Sequence, residues 1–111
     1  MSEAGELLAL CATDDVNSDA PLHVEHDGME YAVYTKDGAF YVTADHCTHG
    51  PGHMSDGYQE EDEIECPFHQ GRFNFITGEP TLAPCTEALR TWTAHVVNGK
   101  VCIDPDEVRK P

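Results

Sequence analysis

Two short runs hold the side chains best suited to metal chemistry, Cys47-Thr48-His49-Gly50 and Cys66-Pro67-Phe68-His69-Gln70-Gly71. Each offers one thiolate and one imidazole. Sixteen residues separate His49 from Cys66, enough for a loop, a short β-excursion and a return, so the two pairs can converge without a helix between them. Gly50, Pro51 and Gly52 follow the first pair, Pro67 sits inside the second run and Gly71 closes it. Such residues suit a backbone turned tightly around a compact object. Two cysteines and two histidines in loops of this kind point to a metal.

The arrangement bears on which metal. Zinc fingers usually group their thiols and group their histidines, and one Zn²⁺ takes all four ligands in a tetrahedron. Here each loop mixes the two types, as C-x-H and C-x-x-H. Both thiolates can then lean toward one metal and both imidazoles toward a second, the ligand division of a Rieske [2Fe–2S] centre, in which two histidines replace two cysteines on one iron. Spacing alone leaves a structural zinc site open as the alternative.

The sequence resembles the Rieske-type ferredoxins, electron-transfer components of bacterial aromatic-ring dioxygenase systems. The resemblance runs through Cys47-Thr48-His49-Gly50, Met54-Ser55-Asp56-Gly57, Ile64-Glu65-Cys66-Pro67-Phe68-His69-Gln70-Gly71-Arg72-Phe73, Thr77-Gly78 and Ala83-Pro84-Cys85, and on to Asn98-Gly99. It implies one Rieske [2Fe–2S] cluster per chain, with Cys47 and Cys66 on the inner iron and His49 and His69 on the outer, more exposed one. Ala83-Pro84-Cys85 matches the family's third, proline-bearing loop, which covers the cluster from the side. Related subunits of quinol-oxidising complexes staple their ligand loops with two further cysteines; Gly52 and Phe68 stand at those positions here. High-potential relatives also carry Ser and Tyr hydroxyls aimed at sulfur, where this chain has Gly71 and Phe73. Histidine ligation makes the oxidised cluster formally neutral and places such centres at roughly −150 to +300 mV, against about −400 mV for plant-type ferredoxins. With both donors missing, the low end of that window is expected.

The elements that must position these loops are strands. Residues 6–11 are a short apolar run, and residues 22–24 alternate apolar and polar toward an Asp27-Gly28 turn. Residues 31–35 and 39–43 flank Lys36-Asp37-Gly38 as a hairpin, and residues 91–97 and 100–103 flank Asn98-Gly99 in the same way. No segment has convincing helical periodicity, although residues 13–17 suit one short turn. The expected fold is all-β: an antiparallel β-sandwich or barrel base with an inserted loop-rich cluster-binding subdomain at about residues 45–84. A length of 111 residues predicts a single Rieske domain over residues 1–111. Its charged end, residues 104–111, is expected to be partly disordered.

Composition narrows the partners. Acidic residues number 21 against 6 basic ones, a formal net charge of −15. Such a surface excludes nucleic acid and anionic membranes and suits basic patches on other proteins. Five cysteines, an odd number, suggest reduced, cytoplasmic usage. No basic leader or membrane-length apolar stretch appears, and a soluble monomer is expected. His23, His26, His46, His53 and His95 are taken as ordinary side chains, with His46 and His53 placed to rim a docking surface. Cys11, Cys85 and Cys102 are taken as small buried hydrophobes. Trp92 is assigned to core or sheet surface. The acidic residues of the run 60–65 make either a solvated turn or a docking patch.

The function that follows is electron carriage without catalysis. No nucleotide fingerprint and no mononuclear-iron pattern beyond the cluster ligands is present. By resemblance, one electron at a time comes from an NAD(P)H-dependent flavoprotein ferredoxin reductase and passes to a terminal oxygenase. A zinc-stabilised interaction module and the Rieske small subunit of another oxidoreductase are the alternatives.

Overall fold

A computed structural model describes residues 7–46, 52–67, 71–82 and 87–109, with side chains through residue 107. The chain runs β1 (Leu8–Ala12), β2 (Leu22–His26), β3 (Met29–Lys36), β4 (Ala39–Ala44), β5 (Tyr58–Glu60), β6 (Glu63–Glu65), β7 (Arg72–Asn74), β8 (Pro80–Leu82), β9 (Thr91–Trp92), β10 (His95–Val97), β11 (Lys100–Ile103) and β12 (Val108–Arg109). Three antiparallel sheets result, ordered β1-β11-β10, β12-β9-β4-β3-β2 and β5-β6-β7-β8. Among the described residues helical structure is limited to two 3₁₀ turns, Thr13–Asp15 and Met54–Asp56. No helix there is long and apolar enough to cross a membrane. The all-β expectation holds, and the short turn falls where residues 13–17 suggested it.

The turns follow from local chemistry. Asp27-Gly28, Asp37-Gly38 and Asn98-Gly99 each place both residues at positive φ, the geometry whose twist matches that of two antiparallel strands. Asp and Asn tolerate the first position and Gly the second.

The alternation of β3 organises both halves of the molecule. Its odd-numbered residues Tyr31 and Val33 join Val42, Ala44, Trp92, Val101 and Ile103 in one core, packing the five-stranded sheet on the three-stranded one. Its even-numbered residues Ala32 and Tyr34 point the other way and join Met54, Ile64, Cys66, Phe73, Phe75 and Leu89 in a second core. Side chains on a strand alternate between faces, so one central strand serves the sandwich and the inserted sheet together. Tyr34 stacks on Phe75 with ring centroids 4.5 Å apart and planes 3° from parallel. The Thr43 hydroxyl donates to the Ala44 carbonyl at 2.9 Å, so the buried Tyr34 hydroxyl, 2.8 Å from Thr43 Oγ1, is the donor in their bond. Burial raises the Tyr34 pKa well above its ordinary value. At the other end of the joint, the Gln59 amide donates to the Thr35 carbonyl at 3.0 Å and Lys36 pairs with Asp62.

One expectation changes. Residues 91–97 do not form one strand: β9 pairs with β4 and β12, whereas β10 pairs with β11 in the other sheet. The chain changes sheets at Thr93 and Ala94, with Ala94 packed against the sandwich core, as sandwich corners require. The Trp92 indole donates to the Pro105 carbonyl at 3.2 Å, and β12 pairs with β9. Trp92 is buried, as its strand pattern suggested. Cys102 is buried and Cys11 half-buried at the edge of the sandwich core.

Gly38 and Gly78 have nearly equal positive φ, +82° and +87°, but only Gly78 is crowded: a Cβ there would lie 2.4 Å from the Leu89 carbonyl oxygen, against open space at Gly38. Gly38→Ala should therefore cost only the left-handed penalty, about 1–2 kcal/mol. Gly78→Ala should cost more, because backbone must also move. Thermal unfolding of both variants checks the order; equal losses would remove the packing role of Gly78.

Candidate metal centre

Cys66 is the sequence-predicted ligand that the described residues contain. It directly follows β6, and its backbone N–H donates to the Gly71 carbonyl at 2.7 Å, closing the mouth of the β6–β7 hairpin. The residue is fully buried and belongs to the core of Met54, Ile64 and Phe73. A soft sulfur ligand thus sits in dry, apolar surroundings, where hydrophobic packing controls solvent access to a metal site. Cys47, His49 and His69 lie outside the described residues, as do Pro84 and Cys85.

The flanks of those segments are described, and backbone contacts draw them together. Before residues 47–51, the Ala44 N–H donates to the Arg90 carbonyl at 2.9 Å and the Asp45 N–H to the Glu30 carbonyl at 3.1 Å. After them, the Met54 N–H donates to the Asp45 carbonyl at 2.6 Å, and His46 and His53 form an antiparallel bridge. The two feet of the first run are therefore joined to each other. The turn Met54–Asp56 then brings Gly57 against the strand that leads to Cys66. A Cβ on Gly57 would lie 2.2 Å from the Glu65 carbonyl oxygen and 3.1 Å from that of Met54. With φ at −89°, Gly57 is required by close approach and not by conformation. Leading out of the third segment, residues 83–86, the Leu89 N–H donates to the Gly78 carbonyl at 2.8 Å.

The acidic run is more structured than either sequence reading held. Residues 60–65 form most of the β5–β6 hairpin, turning at Glu61 and Asp62. Arg72 on the neighbouring β7 reaches Glu60 at 3.1 Å, Glu63 at 3.3 Å and Glu65 at 3.0 Å, and Asp62 pairs with Lys36. One guanidinium and one ammonium thus draw on four of the five acids, and Glu61 at positive φ makes the tip.

A second polar constellation went unread in the sequence. His23 and Glu30 lie on the β3 face that carries Ala32 and Tyr34, diagonal to each other in the β2–β3 register. Asp45 and His53 complete the group, with the Asp45 side chain fully buried beneath them. Its Oδ1 accepts from the Ser55 N–H at 2.8 Å and its Oδ2 from His53 Nδ1 at 2.9 Å. That bond to Asp45 is the main cause raising the His53 pKa. Glu30, bonded first by His23 and then by His46, is held below the usual carboxylate range. Only the strand register brings His23 and Glu30 to one place, so isolated histidines in the sequence carried no usable signal.

Gly57→Ala tests whether the approach of the turn to β6 matters to the site. The variant should hold less iron and acid-labile sulfide per chain than the parent, since the turn must lift away from the residue before Cys66. Metal and sulfide analysis of the purified variant measures this; full occupancy would show that the site does not depend on the contact.

Comparison with known proteins agrees with this geometry. Residues 6–93 match the family model described as the Rieske [2Fe-2S] domain. The ferredoxin component of the naphthalene 1,2-dioxygenase system of Pseudomonas putida is 44% identical over 93 residues, 84% of this chain and 89% of that one. The solved Sphingomonas yanoikuyae B1 ferredoxin superposes with a TM-score of 0.86 at 40% identity, covering 89% of this chain and 98% of its own. The ferredoxin in a complex of reduced oxygenase and oxidized ferredoxin of carbazole 1,9a-dioxygenase gives 0.85 at 38% identity, covering 95% and 97%.

Proposed function

This chain belongs to the Rieske [2Fe–2S] family, and on that premise we propose that it is the one-electron carrier of an aromatic-ring dioxygenase system, taking electrons from an NAD(P)H-dependent flavoprotein reductase and delivering them to a terminal oxygenase. The observation that carries the reading is the similarity to dioxygenase ferredoxins across most of both chains. In this role the protein is a carrier and not itself the oxygenase.

Cys47 and Cys66 would hold one iron of the cluster and His49 and His69 the other. The described part of the site fits such a group, because a buried thiol in an apolar setting suits a metal–sulfur centre. When bound, the cluster supplies a reversible one-electron couple that changes its charge by one unit. The chain's own contribution is to keep the Cys66 side of the site dry, through Met54, Ile64 and Phe73, and to tie the loop feet to the base. We take residues 1–111 as one Rieske domain, with residues 45–84 as its cluster-binding subdomain. We place it in the cytoplasm, a setting in keeping with Cys11 and Cys102, which are thiols and not disulfide partners.

Replacement of His49 or His69 by Ala should abolish the cluster, whereas His95→Ala, at a half-buried position of the otherwise exposed β10, should leave it. Iron and sulfide assays with EPR of the dithionite-reduced proteins separate the outcomes. A normal rhombic signal from the His69 variant would refute the ligand set, and a colourless, zinc-containing parent protein would favour the interaction-module reading.

The net charge of −15 bears on delivery. Electrostatic steering lifts association from about 10⁵–10⁶ toward 10⁸–10⁹ M⁻¹s⁻¹ at low salt, and the field reaches only about 10 Å at 0.1 M ionic strength. Electron transfer to the oxygenase under second-order conditions should slow as salt rises. Asp56→Lys, in the turn Met54–Asp56 that follows the first run, should slow it more than Asp106→Lys near β12. Reversals among Glu60, Glu63 and Glu65 should have a smaller effect, since Arg72 already offsets them. Stopped-flow oxidation across a salt series measures this; rates independent of salt and of every reversal would leave the charge without a docking role.

A further inference from the structure

Apart from the residues assigned to the cluster, three imidazoles and two carboxylates meet at one end of the β3 face. His23 Nε2 lies 3.0 Å from Glu30 Oε1 and 3.8 Å from Asp45 Oδ2. His53 Nδ1 lies 3.4 Å from the same Glu30 oxygen and 2.9 Å from the same Asp45 oxygen. His46 Nε2 approaches the other Glu30 oxygen at 3.2 Å. Two overlapping sets, Glu30 with His46 and His53, and Glu30 with His23 and Asp45, each bring their ligand atoms within 4.8 Å of one another.

We propose that His23, Glu30, Asp45 and His53, with His46 beside them, form a second metal site for a borderline divalent transition cation such as Zn²⁺. Zinc binds His nitrogen and carboxylate oxygen at about 2.0–2.2 Å, so neighbouring donors in its tetrahedron stand about 3.4 Å apart. The four nitrogen–oxygen separations that join His23 and His53 to Glu30 and Asp45, 2.9 to 3.8 Å, straddle that value. Metal ligation requires the imidazoles in their neutral form; the two carboxylates then leave two negative charges, which one dication offsets. Two imidazoles with two oxygens favour a transition ion over Mg²⁺ or Ca²⁺, which require more oxygen donors. The support is also in place. Asp45 is buried and its Oδ1, the oxygen not turned toward the imidazoles, is fixed by the Ser55 N–H, as carboxylate ligands commonly are. The histidine edges are open to solvent, with His23 44% and His46 59% exposed, which provides the path of entry.

The ligands come from β2, from β3, from the residue after β4 and from the residue before the turn Met54–Asp56. A cation there joins both feet of residues 47–51 to the base sheet. Binding to the folded state alone stabilises it by mass action, so the cation acts as a staple independent of the cluster ligands.

The test titrates ZnCl₂ into the cluster-loaded protein against a chromogenic chelator, with iron and sulfide measured before and after. One equivalent should bind with iron and sulfide unchanged, and the unfolding temperature should rise. His23→Gln and His53→Gln should each weaken binding at least tenfold, and the pair together should remove the thermal shift. His26→Gln, whose side chain lies on the opposite face of β2, should change nothing. Absence of binding, equal binding by the double variant, or zinc uptake matched by iron loss would each overturn the proposal and leave the group as a hydrogen-bonded surface patch.

Discussion

The second core, in which Tyr34 and Ala32 of β3 meet Ile64, Phe73 and Phe75 of the inserted sheet, is the contact on which the rest of this molecule depends. The four strands of that sheet are each three residues long, too short to hold together without an apolar face to bury. Laid against β3 they bury Phe73, Phe75 and Ile64 completely. That burial sets where the β6–β7 hairpin ends, and hence where Cys66 lies. Met54, on the turn that follows the first run, is buried in the same core. One hydrophobic contact therefore positions both sides of the metal centre.

Close backbone approach refines that placement. Gly57 against Glu65 and Gly78 against Leu89 both leave no space for a Cβ, and both lie where a segment leading to or from the site crosses a neighbour. Packing accounts for the rough position of the loops; the missing side chains account for how near they come. Few apolar residues are needed for this, which suits a chain of 111 residues with a limited core.

The acid excess is handled unevenly. Along β5 to β7 it is compensated within the sheet, by Arg72 and Lys36, two of only six basic residues. At the open end of β3 the counter-charges are histidines, whose charge is conditional on pH. Carboxylates held by imidazoles are poised to accept another cation, and this is the chemical basis of the second site. The rest of the negative charge remains outward, available to basic partners.

The ligand runs, their glycines and prolines, the all-β frame and the hairpin turns were readable in the sequence because each depends on neighbours within a few residues. Asp37-Gly38 and Asn98-Gly99 specify their turns wherever they stand, and alternation in residues 31–35 marks a strand without reference to its partners. Non-local outcomes were not readable. The division of residues 91–97 between two sheets depends on which strands lie on either side. The pairing of Arg72 with the run 60–65 depends on the order of β5, β6 and β7. His23, Glu30, Asp45 and His53 are scattered over thirty-one positions of the chain, and only the register of β2 on β3, with the return of the chain at His53, puts their donors within bonding distance. Residue types and local spacing establish what chemistry is available, while the sheet register, which satisfies backbone hydrogen bonds and apolar burial together, decides which distant groups share it.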